Sequence, residues 1–161
     1  MYFKRLFDMQ EILDNKIRQT HNLCNKPLFS KKILALNVEI GELANETRCF
    51  KYWSNKKPSP KEVILEEYID CLHFILSIGI EKNFTDINIE AKISEYEIPE
   101  QFCNLYIDVN DFIVCSSKDH YFTLFEDFLT LGRSLGFNDE QIENAYIEKN
   151  TINHKRQDEG Y

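Results

Sequence analysis

The sequence has little of what cuts a chain into short elements: five Gly and four Pro in 161 residues. That scarcity excludes a turn-dense β-sandwich or barrel and favours helices. Positive charge is also short. Nineteen Lys and Arg face 27 Asp and Glu, and the resulting net charge of -8 repels both a nucleic-acid backbone and an anionic lipid surface. No apolar stretch reaches the length of a membrane span. Met1 to Glu11 alternates charge with hydrophobe, unlike a secretory signal. Neither nucleic acid nor membrane is therefore expected as a partner. The cysteines, Cys24, Cys49, Cys71, Cys103 and Cys115, are odd in number and lack C-x-x-C spacing. They read as reduced core residues of a cytoplasmic protein. With 43% hydrophobic and 13% aromatic residues, the chain has enough material for one packed core over residues 1–161, and disordered or low-complexity classes are out.

Periodicity then divides the chain. Tyr2 to Thr20 carries Phe3, Leu6, Phe7, Leu13 and Ile17 at helical spacing, and a loop around Asn25, Lys26 and Pro27 follows. Ser30 is expected to cap a second helix, whose stripe Leu36, Ile40, Leu43, Thr47 and Phe50 carries it to about Phe50. After the loop Ser54 to Ser59, the run Ser59-Pro60-Lys61-Glu62 combines an N-cap, a first-turn proline and a capping-box glutamate at the start of a third helix. Asn83 to Pro99 is acidic and aperiodic, and reads as a connector. Helices are expected over Pro99 to Val114 and Asp119 to Leu135, the second ending at Gly136. Asn138 and Gln141 make a capping box, with Phe137 stapled onto Ile142, for a last helix to about residue 152. The expected fold is one all-α domain, a bundle of five or six helices.

Two acidic pairs at i,i+3 stand out, Glu39 with Glu42 and Glu67 with Asp70. Chance alone predicts about four such pairs at this composition, and the chain has seven, so spacing is weak and context must decide. Tyr68 to Ile80 is apolar on nearly every side, with Asp70 its only charge. A lone buried carboxylate costs several kcal/mol unless paired or metal-bound. At about 100° per residue, Glu67 and Asp70 flank one groove, and Glu39 lies about 60° from the centre of its own helix's apolar stripe with Glu42 further round. A short loop makes the two helices antiparallel, so four carboxylates are expected at one level. The buried part of the third helix offers no basic residue to balance them. That calls for a hard divalent cation, Mg²⁺ with Mn²⁺ as a substitute, and points to water attacking a metal-bound polyphosphate.

The C-terminal segment supplies Lys149, Asn153 and Arg156 at i, i+4 and i+7, a face suited to phosphate oxygens or an ordinary charged helix surface. Trp53, the only Trp, follows the first carboxylate helix, where it either stacks on a base or closes the core. His73 lies among apolar neighbours and reads first as a satisfied core histidine.

The runs ALNVEIGELANE (Ala35 to Glu46), Trp53, LEEYIDCLHF (Leu65 to Phe74) and YIEKNTINHKRQDEGY (Tyr146 to Tyr161) together resemble the dimeric all-α dUTPase family, within the helical NTP pyrophosphatase superfamily that includes the MazG proteins. The resemblance implies a MazG-like bundle with a four-helix metal-binding core. It implies Mg²⁺-dependent hydrolysis of dUTP, and of dUDP, in a homodimer whose partner helps line the uracil pocket. Glu39 would activate the water while touching metal, and Glu42, Glu67 and Asp70 would be the other metal ligands. Gln10 would read uracil, Trp53 would lie beside the nucleoside, and Lys149, Asn150, Asn153, Arg156 and Tyr161 would hold phosphates and close the site. His73 matches a histidine of the family without an assigned role. Two alternatives stay open: a broader MazG-like dNTP pyrophosphatase, and an interaction module that binds a regulatory protein.

Overall fold

A computed structural model describes residues 3–160. Six helices follow one another: α1 (Phe3–Thr20), α2 (Phe29–Thr47), α3 (Lys61–Lys82), α4 (Ile98–Val114), α5 (Lys118–Ser134) and α6 (Asp139–Asp158). No strand occurs among the described residues. Helix α3 is the axis. Its buried residues run around the whole cylinder, from Tyr68 and Ile69 through Leu72 and Ile75 to Ile78 and Gly79, because α1, α2, α5 and α6 all pack against it. Helices α1, α2, α3 and α6 make a four-helix core. The α4–α5 pair completes it, α4 resting on α2 and α5 on α3.

Two tyrosine–glycine contacts set the α3–α5 approach. The Tyr121 hydroxyl donates to Ile75 O (3.0 Å), and the Tyr68 hydroxyl donates to Phe128 O (3.2 Å). Four residues beyond each acceptor stands a glycine. A Cβ on Gly79 would lie 2.2 Å from the Tyr121 oxygen, and one on Gly132 2.4 Å from that of Tyr68. Hydrogen only is tolerated at both positions, since the tyrosines are fully buried and cannot retreat.

Several sequence expectations need correction. Ser30 is not a cap, because α2 starts at Phe29 with Leu28 at the cap position, which puts Ser30 inside the helix. Phe50 is exposed rather than part of the buried stripe, because Arg48 turns left-handed (φ 56°) and ends α2. Ser59 does not cap α3. Its hydroxyl donates instead to the Glu46 carboxylate at the end of α2, a long-range partner that local spacing cannot reveal. Helix α6 runs to Asp158, six residues past the expected end. Of the cysteines only Cys71 is buried. Cys24, Cys103 and Cys115 are exposed, and all five are free thiols.

The other boundaries agree closely. Asn138 and Gln141 form their reciprocal capping box. Gly136 takes φ 83°, and Phe137 N donates to Gly132 O (3.0 Å) in a Schellman-type stop of α5. The segment 83–97 has no regular structure yet is packed, with Ile89 buried and Phe84, Ile87 and Ala91 set against the core.

Candidate active site

The longest helix contact, α2 against α3, brings the acidic pairs together. Carboxylate oxygens of Glu39, Glu67 and Asp70 lie within 4.8 Å of one another, all partly buried. Glu42 departs from the expected quartet. It is exposed, one turn along α2, and reaches the cluster through its field rather than through a shared ligand position. The helical spacing sets it further round from the apolar stripe than Glu39.

The charge balance is the larger correction. A counter-cation comes not from α3 but from α6, where Lys149 Nζ sits 2.7 Å from Asp70 Oδ2 and 2.8 Å from Glu66 Oε1. Lys149 is buried, with its ammonium held between these two carboxylates. Glu66 was missed because it lies on the exposed side of α3. The signal available was only its i,i+4 relation to Asp70.

Titration follows from this arrangement. Burial, then the charges of Asp70, Glu42 and Glu67, pushes Glu39 up to about 7. Burial, then Asp70 and Glu42, raises Glu67. Burial also raises Asp70, although the bond from Lys149 opposes it. The same lysine holds Glu66 below the usual carboxylate range. Burial works to lower Lys149 itself, but its bonds to Asp70 and Glu66 raise it on balance. Within the cluster Glu39 is the carboxylate that burial and its acidic neighbours push up as far as about 7.

Beside the cluster lies a second group of polar residues. Gln10 is only 3% exposed on α1. His73, one turn beyond Asp70, stacks on Tyr146 (ring centroids 4.4 Å apart, 26° between planes) and its Nδ1 lies 2.7 Å from Gln10 Oε1. The satisfied-histidine reading holds for one nitrogen only, since His73 Nε2 is buried without a partner. Asn150 is buried too. Its side chain works against the burial that raises the Tyr146 phenol, while its Nδ2 makes no well-formed hydrogen bond. Trp53 stands 64% exposed on the loop after α2, packed edge-on against Tyr52 (5.0 Å) and Phe50 (6.0 Å). Arg48 pins that loop through Ser54 Oγ (2.8 Å) and Lys56 O (3.0 Å). Further along α6, Arg156 donates to Asn153 Oδ1 at 3.5 Å and its charge is felt at Asp70 and Glu66. Tyr161 lies outside the described residues.

A sequence profile of a family described as dUTPase matches residues 2–161, essentially the whole chain. The chain belongs to this dUTPase family. Comparison with curated protein sequences gives no match. Its activity is accordingly dUTP hydrolysis, that of a dUTP diphosphatase, and the all-helical architecture agrees with the all-α form of that enzyme.

For a dUTPase the chemistry divides naturally between the two groups. Three converging carboxylates form an all-oxygen donor set that suits a hard divalent ion. The unpartnered His73 Nε2 and Asn150 Nδ2 offer one acceptor and one donor, which is what a polar base edge needs. A cleft of about 760 Å³ lies elsewhere, between Phe3, residues 87–91 and the start of α6, and no candidate residue lines it.

Proposed function

We propose that the chain hydrolyses dUTP, and dUDP, with Mg²⁺ as cofactor and Mn²⁺ as its substitute. Glu39, Glu67 and Asp70 would be the direct ligands, with Glu42 at the rim supplying negative field. The observation that carries this reading is the convergence of three half-buried carboxylates within 4.8 Å, an arrangement whose repulsion a divalent cation relieves. When bound, the cation neutralises the triphosphate and favours ionisation of the attacking water.

The chain's own residues account for the remaining chemistry. Glu39, half-buried with its carboxylate facing Glu67 and Asp70, takes the proton of the attacking water. The oxygen attacks a phosphorus of the αβ bridge, the bond from that phosphorus to the bridging oxygen breaks, and that oxygen keeps the electron pair as dUMP and pyrophosphate part. Lys149, Asn153 and Arg156 line α6 on the side of the carboxylates and offset the charge that grows on the leaving group. Asn150 and His73, supported by Gln10, contact the uracil edge. Trp53 stacks on the nucleoside, and Tyr161 closes the site.

Supplying purified protein with each dNTP and with dUDP, under Mg²⁺ or Mn²⁺, tests this. Pyrophosphate release from dUTP at least tenfold above dCTP and dTTP is expected, and none without a divalent cation. Comparable turnover of all bases would instead indicate a broad dNTP pyrophosphatase, and metal-independent turnover would reject the carboxylate site.

A homodimer is part of the same reading. Helices α2 and α4 run antiparallel, since Phe29 meets Phe112 (5.9 Å) while Tyr106 OH donates to Asn37 O (3.2 Å). Their outward faces expose Leu34 and Val38 on α2 and Cys103, Ile107 and Val114 on α4. A second copy would cover this apolar face. Val38→Asp is expected to shift the protein from dimer to monomer in sedimentation velocity; a wild-type monomer at micromolar concentration would contradict the dimer. Five free thiols fit a reducing cytoplasm, and no helix among the described residues is long and apolar enough to cross a membrane.

A further inference from the structure

Behind His73 runs a hydrogen-bond chain whose direction is fixed from its far end. Asp14 on α1 accepts from the Ser77 hydroxyl and from Lys32 Nζ (3.4 Å). Lys32 is itself held by Ser77 O (3.1 Å) and Glu81 (2.8 Å). The other Asp14 oxygen, Oδ1, stands 2.7 Å from Gln10 Nε2. A carboxylate only accepts, so the Gln10 amide must turn its nitrogen to Asp14 and its oxygen away. That oxygen receives the Tyr146 hydroxyl (2.8 Å) and faces His73 Nδ1 (2.7 Å). An amide oxygen also only accepts. His73 must then carry its proton on Nδ1, which leaves Nε2 a bare acceptor, and Nε2 is the buried atom without a partner. Burial, aided by the charge of Lys149, drives the imidazole down to about 3, so the ring stays neutral and its tautomer is the property at issue.

We propose that Asp14 is a positioning residue that acts through the Gln10 amide to hold His73 in the Nδ1–H tautomer, so that the site selects a base presenting a ring N–H donor. This rests on the reading of His73 as a base contact. Uracil offers N3–H to such an acceptor. Cytosine presents an unprotonated N3, and two acceptors facing each other in a buried site leave both unpaired, a rejection of about ten- to a hundredfold. Without the Asp14 acceptor the Gln10 amide is free to turn over. Its NH₂ would then face Nδ1, and the ring would exchange its proton through solvent to Nε2, the polarity that suits cytosine.

Long-range ¹H–¹⁵N spectra of the imidazoles in the free, full-length protein read the tautomer without substrate. Wild type is expected to show His73 protonated on Nδ1 with an unprotonated Nε2. Asp14→Asn keeps an amide oxygen for Gln10 and should keep both that signature and the preference for dUTP. Asp14→Leu should populate the Nε2–H form and lower the dUTP to dCTP ratio of kcat/KM at least tenfold. An Nε2–H tautomer in wild type, or an unchanged tautomer in Asp14→Leu, overturns the proposal even if one variant folds poorly. A shifted tautomer with unchanged base preference overturns the selective role and places the failure in the base contact rather than in the relay.

Discussion

Glu39→Gln protein should lose dUTP turnover by about 10²- to 10⁴-fold, the usual contribution of a general base, and yet be more stable than wild type when no metal is present. The two effects have one cause. Glu39 is pushed up from 4.5 to about 7 by burial and by Asp70, Glu42 and Glu67. Its ionised form is therefore disfavoured in the folded chain. For an acid whose folded pKa is raised, the unfolded chain gives up its proton first. The metal-free protein thus loses stability as pH rises from about 4.5 to about 7, and the loss is complete above that window. At face value the displacement corresponds to about 3 kcal/mol. About half of the group is open to solvent, which screens it, so a gain of about 1–2 kcal/mol is expected from Glu39→Gln at pH 8. Urea unfolding in chelator at pH 5 and pH 8 checks the sign: the variant's advantage should be small at the lower pH and full at the higher. Asp108, also pushed up to about 7 by burial and by Asp127, leaves a residual slope in both proteins and cancels in their difference.

Lys149→Met has the opposite expected sign. It removes the cation bonded to Asp70 and Glu66 and leaves Asp70 with its burial penalty uncompensated. Breaking one partner of a well-buried pair costs about 3–5 kcal/mol. With Asp70 about a quarter exposed and Glu66 mostly exposed, about 2–3 kcal/mol is expected here. The loss should be largest near neutral pH and shrink as acidification protonates Asp70, whose pKa burial already raises. A second substitution, Asp70→Asn, should recover most of the stability of Lys149→Met. Chemical denaturation of the two single variants and the double variant measures this coupling. Additive losses would show that Lys149 contributes packing rather than charge. Activity should fall in every member of the set, because the same lysine faces the carboxylates that surround the substrate phosphates.

The helices were legible wherever one residue's environment depends on its near neighbours. Leu36, Ile40, Leu43 and Thr47 of the α2 stripe bury as their spacing indicates, and the Asn138–Gln141 box forms as written in the chain. The clustering of Glu39, Glu67 and Asp70 was legible for a related reason. A charged residue inside an apolar helix must find compensation, and a short loop leaves antiparallel packing as the outcome. What failed to show were partners chosen across the fold. Ser59 has the local context of a cap but finds Glu46. Lys149 reads in sequence as part of a phosphate-binding face, and its contact with Asp70, 79 residues away, does not show there. The role of Asp14 is invisible in sequence because its significance depends on which end of the Gln10 amide it receives, a matter of tertiary geometry alone. Phe50 and the exposed cysteines failed through over-extension of a stripe and of a composition rule.

The most direct test of the clustered-carboxylate claim is the number of protons released when Mg²⁺ binds, measured by titration calorimetry in buffers of different ionisation enthalpy. Glu39 titrates near pH 7 in the free chain, so binding at about pH 6.5–7 should expel a substantial fraction of a proton, and this release should fade above about pH 8. Glu39→Gln should remove most of it. Mg²⁺ binding without proton release at neutral pH, or with the same release in Glu39→Gln, would contradict the account.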